Sequence, residues 1–192
     1  MDPRFGSLPT PATIVTEISA PIGELWLRNP AFVRWLQSID IQVVSLRLFR
    51  SLPNCEYKLH VDVDPNLLQL GPWVRPVNTD KYVYDGLIKL NLVFHSHGST
   101  MTWYDLHDGC NSHVNVNGNG YKSLSFEKQD CDVVYHTDCD THCLVNGGRI
   151  HTLTNGQNNN STRLCYSMMI QNKDHTLTWD RAVEMLTPWF DV

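Results

Sequence analysis

The chain has 192 residues, 42% hydrophobic and 18% charged. That fits one globular domain, residues 1–192, with a sizeable core, and excludes a disordered polypeptide. A formal net charge of −5 excludes a dominant grip on nucleic-acid phosphates, although a nucleotide stays open as a small substrate.

The first 12 residues hold three prolines and read as an extended lead-in. Pro30 can start a short helix over 31–38, where Phe32, Val33, Trp35 and Leu36 supply an apolar face. From about residue 41 the pattern turns to strands. Residues 43–49 alternate apolar and polar, and 57–63 follow a turn at Pro53-Asn54. Residues 65–85 carry Pro65, Gly71, Pro72 and Pro76 and read as a long loop. Its Trp73, Arg75, Tyr82 and Tyr84 would suit a lid. Residues 87–94 and 101–106 are strand candidates. Residues 109–121, rich in Gly and Asn, read as a loop. Residues 143–146, 150–154 and 164–171 look extended, and 179–186 can form a closing helix. Many short strands with polar turns favour a sandwich or jelly roll over an α/β fold. No apolar run approaches the roughly 20 residues that span a bilayer, and the first residues lack the basic and apolar regions of a secretion signal.

His60-Val61-Asp62 carries the chemistry. Residues i and i+2 of a strand share a face, so His60 and Asp62 can offer one nitrogen and one carboxylate oxygen to the same ion. His151 supplies a second imidazole. Two histidines and one carboxylate make a facial triad that leaves three positions open on Fe(II), the arrangement of non-haem oxygenases. Arg163 lies beyond a stretch of turn residues, 155–161. A hairpin centred near Gln157 would set Arg163 directly opposite His151, where its planar fork could hold the far carboxylate of 2-oxoglutarate. Cys165 and Ser167 follow on the same face, and the Ser167 hydroxyl could join that carboxylate.

The segments 45–54 and His60-Val-Asp62 resemble the approach to the first metal motif of small 2-oxoglutarate/Fe(II) oxygenases. They are most similar to the aspartyl/asparaginyl β-hydroxylase-like group. Lys89-Leu-Asn91-Leu and Ser99-Thr-Met-Thr-Trp-Tyr104 resemble its middle strands. The run from Cys143 to Asn155, with Arg163, resembles its last metal strand and clamp. The resemblance covers roughly residues 40–170. It implies a mainly β fold, a double-stranded β-helix (jelly roll) with a few flanking helices and a core over about 40–171. It also implies Fe(II), 2-oxoglutarate and O2, with the metal on His60, Asp62 and His151, the cosubstrate at Arg163, and Asn91 beside it. Several members of that group lack the carboxylate ligand; Asp62 here points to ordinary hydroxylation of a small-molecule or peptidyl substrate, with 2-oxoglutarate decarboxylated to succinate.

Other readings compete. His136-Thr-Asp138 is a second H-x-D, with no clamp of its own. Cys131, His136, Cys139, His142 and Cys143 are suitable zinc ligands, but their spacing lacks a clean C-x2-C and H-x3-H pair. Six cysteines without a secretion signal read as free thiols in a reducing compartment, so a cytoplasmic location off the membrane is expected. The alternative to an oxygenase is a jelly-roll binding module, metal-free or zinc-stabilised. A cupin-type enzyme without 2-oxoglutarate would have no need of Arg163.

Overall fold

The computed structural model describes residues 15–19, 23, 28–62, 74–78, 81–94, 96, 98–116, 122–156 and 162–190. The protein is mainly β. In chain order the strands are β1 (Val15–Ser19), β2 (Gln42–Ser51), β3 (Cys55–Glu56), β4 (Leu59–Val61), β5 (Arg75–Asn78), β6 (Val83–Asp85), β7 (Ile88–Phe94), β8 (Ser99–Leu106), β9 (His113–Val116), β10 (Lys122–Phe126), β11 (Cys131–Asp138), β12 (Cys143–Asn146), β13 (Ile150–Asn155) and β14 (Arg163–Gln171). The helices are α1 (Pro30–Ser38) and α2 (Trp179–Leu186).

One antiparallel sheet runs β1-β2-β14-β7-β12. A second runs β11-β8-β13-β4-β10-β9, with β3 beside β13. The chain passes back and forth between them. β2, β7, β12 and β14 lie in the first, while β4, β8, β11 and β13 lie in the second.

Alternation along the strands gives each sheet two distinct faces. On the first sheet Leu46, Ile88, Leu90, Met168 and Ile170 point outward and pack with Leu36, Ala182 and Leu186 of the helices. α1 starts at Pro30, whose missing N–H costs nothing in the first turn. Thr178 caps α2 by accepting from the Arg181 amide. A register shift against Met169 and Ile170 leaves Val44 without a cross-strand partner. That one-residue bulge lets both Val43 and Leu46 face the helices despite their odd spacing. On the second sheet Leu59, Val61, Tyr104, Leu106, Leu124, Phe126 and Ile150 form the outer cluster with Tyr84 and Leu87. Between the sheets, Met101, Trp103 and Leu153 meet Val145 and Cys139. Fully burying each such side chain is worth about 1.5–3 kcal/mol, so these contacts fix which faces look at each other.

Several expectations change. Of the strand expected over 57–63, the described residues form Leu59–Val61, while Tyr57 donates its amide to the Leu153 carbonyl of β13 and residue 63 lies outside the described residues. Residues 75–78 and 83–85 are not loop but a two-stranded hairpin. Pro76 is tolerated there because β5 pairs on one side only. Within 109–121, His113–Val116 is a strand paired with β10. β1, β10 and β11 lie where no strand was expected. The lead-in over residues 1–12 lies outside the described residues. Among the described residues, no helix is long and apolar enough to cross a membrane.

Candidate metal centre

β4 carries His60, and Asp62 follows directly after its end. β13 carries His151, whose Cα partner across the ladder is His60. Paired residues share a face, so the two imidazoles stand side by side with ring centroids 4.5 Å apart. His60 Nε2 is 3.7 Å from Asp62 Oδ1, and His151 Nε2 is 3.6 Å from Asp62 Oδ2. One donor atom from each residue lies within 4.8 Å of the others. Ligands about 2.0–2.2 Å from one ion stand roughly 3–4 Å from each other. His60, Asp62 and His151 could therefore hold a metal ion. Among the described residues no second group of this kind occurs.

Hydrogen bonding sets both tautomers. His60 Nδ1 donates to the Lys58 carbonyl and His151 Nδ1 to the Arg149 carbonyl, each at 2.8 Å. A carbonyl only accepts, so the proton sits on Nδ1 and each Nε2 keeps its lone pair for a metal. Burial, with His60 alongside, pulls the His151 pKa down to about 4 against the opposing pull of Asp62. His151 is therefore neutral at pH 7, the form that ligates. Burial alone would push the Asp62 carboxyl up. The Lys89 ammonium and the two imidazoles more than reverse this and hold it well below the usual carboxylate range.

Two residues that sequence reasoning missed hold Asp62. Lys89, on β7 of the opposite sheet, places Nζ 2.7 Å from Asp62 Oδ1 and lies 5.8 Å from the centre of the Phe49 ring. The signal was present in Ile-Lys-Leu-Asn-Leu, where Lys89 and Asn91 alternate with apolar residues onto the inward face. The second is Gly147, whose carbonyl accepts from the Asp62 amide at 3.0 Å. A Cβ on Gly147 would collide with Asp62 Oδ2. The Gly-Gly pair after Asn146 thus leaves a cradle shaped for this carboxylate. Asp62 Oδ2 is buried and has no hydrogen-bond partner.

Arg163 does not stand opposite His151. β13 and β14 belong to different sheets, so the expected hairpin alignment is wrong. His151 pairs with His60 and Trp103, and Arg163 pairs with Ser51. β13 pairs instead with β8 along its whole length, and β14 pairs with β2 and β7. Residues 157–161 lie outside the described residues.

Arg163 nevertheless lies in the space between the sheets. On the inward face of the first sheet, Cys165 stands between Phe49 and Val93, and Ser167 between Arg47 and Asn91. Arg163 is 2% exposed, and its Nε and Nη2 have no hydrogen-bond partner. The Cys139 and Cys165 thiols lie within its reach. Tyr57, another residue the sequence did not single out, shares a 2.8 Å hydrogen bond with Ser51, the cross-strand partner of Arg163. Asn91 is buried with its Oδ1 unpartnered, and Ser167 is buried beside it.

The lid residues have other work. Arg75 donates to the carbonyls of His175, Thr176 and Leu177. Tyr82 packs edge-on against Phe126, and Tyr84 joins the outer cluster of the second sheet. Trp73 lies outside the described residues. The zinc set is not assembled. Cys131 belongs to the outer cluster and Cys139 to the cluster between the sheets. His136 Nδ1 is bound to Thr102 Oγ1, and His142 Nδ1 accepts the Val93 amide. His136 and Asp138 lie on β11, away from the triad.

No protein-family model, curated protein or solved structure matches the chain.

Proposed function

We propose that the protein is an Fe(II)/2-oxoglutarate-dependent dioxygenase built on a double-stranded β-helix. The order β2-β14-β7-β12 against β4-β13-β8-β11, with the chain alternating between sheets, supports that fold. The observation that carries the function is a pair of complementary half-sites on the inward faces of the two sheets. A 2-His-1-carboxylate set sits on one sheet, and a buried arginine with two unpartnered guanidinium nitrogens sits on the other.

The donor set fits iron. Two imidazoles and one carboxylate leave open positions, as non-haem Fe(II) oxygenases require. Bound there with 2-oxoglutarate, iron would supply activation of O2 and oxidation of a C–H bond, with succinate and CO2 released. The chain supplies the rest. His60 and His151 present lone pairs fixed by their Nδ1 bonds. Asp62 is held ionised. Arg163 takes the far carboxylate of 2-oxoglutarate through charge-assisted bonds, satisfying nitrogens that are otherwise buried without partners. Ser167 and Asn91 line the same inward face. Met101, Trp103, Val145 and Leu153 exclude water from the space between the sheets. The substrate is a small molecule or a peptidyl side chain.

Incubation with Fe(II), 2-oxoglutarate and O2 tests this reading. Succinate should form, and the Asp62→Ala protein should form none above the iron-only background. Equal succinate from both would sink the assignment.

One observation favours the second reading, a binding module without oxygenase activity. Lys89 forms an ion pair with Asp62 that offsets its charge. On that reading the protein folds identically with and without divalent metal and yields no succinate.

A further inference from the structure

We propose that Lys89 is a positioning residue that keeps Asp62 a one-oxygen metal ligand and thereby keeps three coordination positions open. The inference rests on the triad binding a divalent metal, but not on oxidation chemistry.

The two oxygens of Asp62 have different surroundings. Oδ1 accepts the Lys89 ammonium at 2.7 Å. Oδ2 is buried without any partner and lies 3.6 Å from His151 Nε2. A carboxylate free of other contacts can chelate an ion with both oxygens. A charge-assisted hydrogen bond on one oxygen opposes this, because that oxygen's electron density is already committed to the ammonium. Oδ2 is then the oxygen left for the ion.

The anchor itself is well constrained. Lys89 projects from near the start of β7, flanked by Met169 on one strand and Val145 on the other. Its side chain is 14% exposed, and it runs against the Phe49 ring, which faces the same space. Gly147 closes the opposite side of the carboxylate: a side chain there would strike Oδ2, and its carbonyl fixes the Asp62 amide. Asp62 is thus held at its backbone, at Oδ1 and along the flank of Oδ2. The ion pair crosses from one sheet to the other, so the inter-sheet packing sets the carboxylate's orientation.

The consequence is a count of open positions. Two imidazoles and one oxygen occupy three of six sites and leave three, whereas a chelating carboxylate leaves two. A chelating cosubstrate takes two positions, so the third decides whether another small ligand can bind beside it.

Water-proton relaxation of the Mn(II)-loaded protein reads this number, since each metal-bound water contributes to it. The parent should show three bound waters. Lys89→Met, close in length and lacking the charge, should lose one, lowering the per-ion inner-sphere relaxation by about a third. Lys89→Gln, whose amide can still donate to Oδ1, should keep the parent value. Two waters in the parent, or three in folded Lys89→Met, would overturn the inference while leaving the metal site intact. A parent that binds no Mn(II), Co(II) or Fe(II) would overturn both. If Lys89→Met does not fold, Lys89→Leu takes its place, with the same expected loss of one water.

Discussion

His60 and His151 are direct cross-strand partners, yet they lie 91 positions apart in the chain. Both rings donate Nδ1 to a carbonyl two residues earlier in the chain, just before the strand begins. The two ligands are therefore prepared by the same local device and brought together by one antiparallel pairing. This arrangement specifies what substitution at each position should do.

Removing any one ligand should cost metal. His60→Ala, Asp62→Ala and His151→Ala should each weaken Co(II) or Mn(II) binding by at least roughly tenfold, about 1.4 kcal/mol. The metal-free proteins should differ among themselves. Asp62→Ala strands the Lys89 ammonium between the sheets. Breaking a fully buried pair costs about 3–5 kcal/mol, and less here because both side chains keep some exposure. Its melting temperature should fall, whereas that of His60→Ala, a half-buried ring, should change little. Calorimetric titration and thermal melts check both points. Parent-like metal affinity in any of the three would remove that residue from the site.

Gly147→Ala tests the cradle. The added methyl meets Asp62 Oδ2 and cannot be accommodated without moving the carboxylate. Metal affinity should fall at least as far as in Asp62→Ala, although no ligand atom has been deleted. Asp62→Glu should fail for a related reason, since the longer arm carries its oxygens past the same wall. Undiminished Co(II) binding by Gly147→Ala would mean that the carboxylate is not confined where the structure has it.

The thiols around Arg163 give a pH dependence. Burial pushes Cys139 up to about 11 and Cys143 up to about 12, from an ordinary value of 9.0; Arg163 opposes this in both. Between pH 9 and 11 the unfolded chain loses these protons and the folded chain keeps them. The folded state then binds more protons than the unfolded state, so stability falls as pH rises through that window. It is fully present below pH 9. Chemical denaturation across the window should show the decline, and Cys139→Ala with Cys143→Ala should flatten it. An equal slope in the double variant would assign the decline to other groups.

Much of this fold was legible because period-2 alternation reports burial directly. β7, β13 and β14 each read as strands, and α1 and α2 were found within one residue of their bounds. The H-x-D spacing located His60 and Asp62 together, and the register brought in His151. The strands that were missed have weak patterns. β11 runs through Val133, Val134 and Tyr135, all exposed, so its apolar residues do not mark an inward face. β9 lies in a Gly- and Asn-rich stretch whose composition reads as turn. The pairing of His151 with Arg163 failed for a different reason. A short turn-rich segment between two strands predicts a hairpin, but here the chain crosses to the other sheet, and that choice is set by long-range partners. In the sequence, Lys89 stands out only as part of a strand. Its meeting with Asp62 depends on how the two sheets face each other, which no local pattern encodes.

On the proposed reading, the metal triad and Arg163 together bind 2-oxoglutarate. The most direct measurement is an anaerobic titration of the Fe(II)-loaded protein with 2-oxoglutarate, followed by its visible charge-transfer band. The parent should develop the band. Arg163→Ala should need at least roughly tenfold more 2-oxoglutarate, the loss of a charge-assisted pair worth about 1.5–3 kcal/mol, with Fe(II) affinity unchanged. Arg163→Lys should recover only part, because an ammonium keeps the charge and loses the fork. No band in the parent, or an identical titration for Arg163→Ala, would contradict the account.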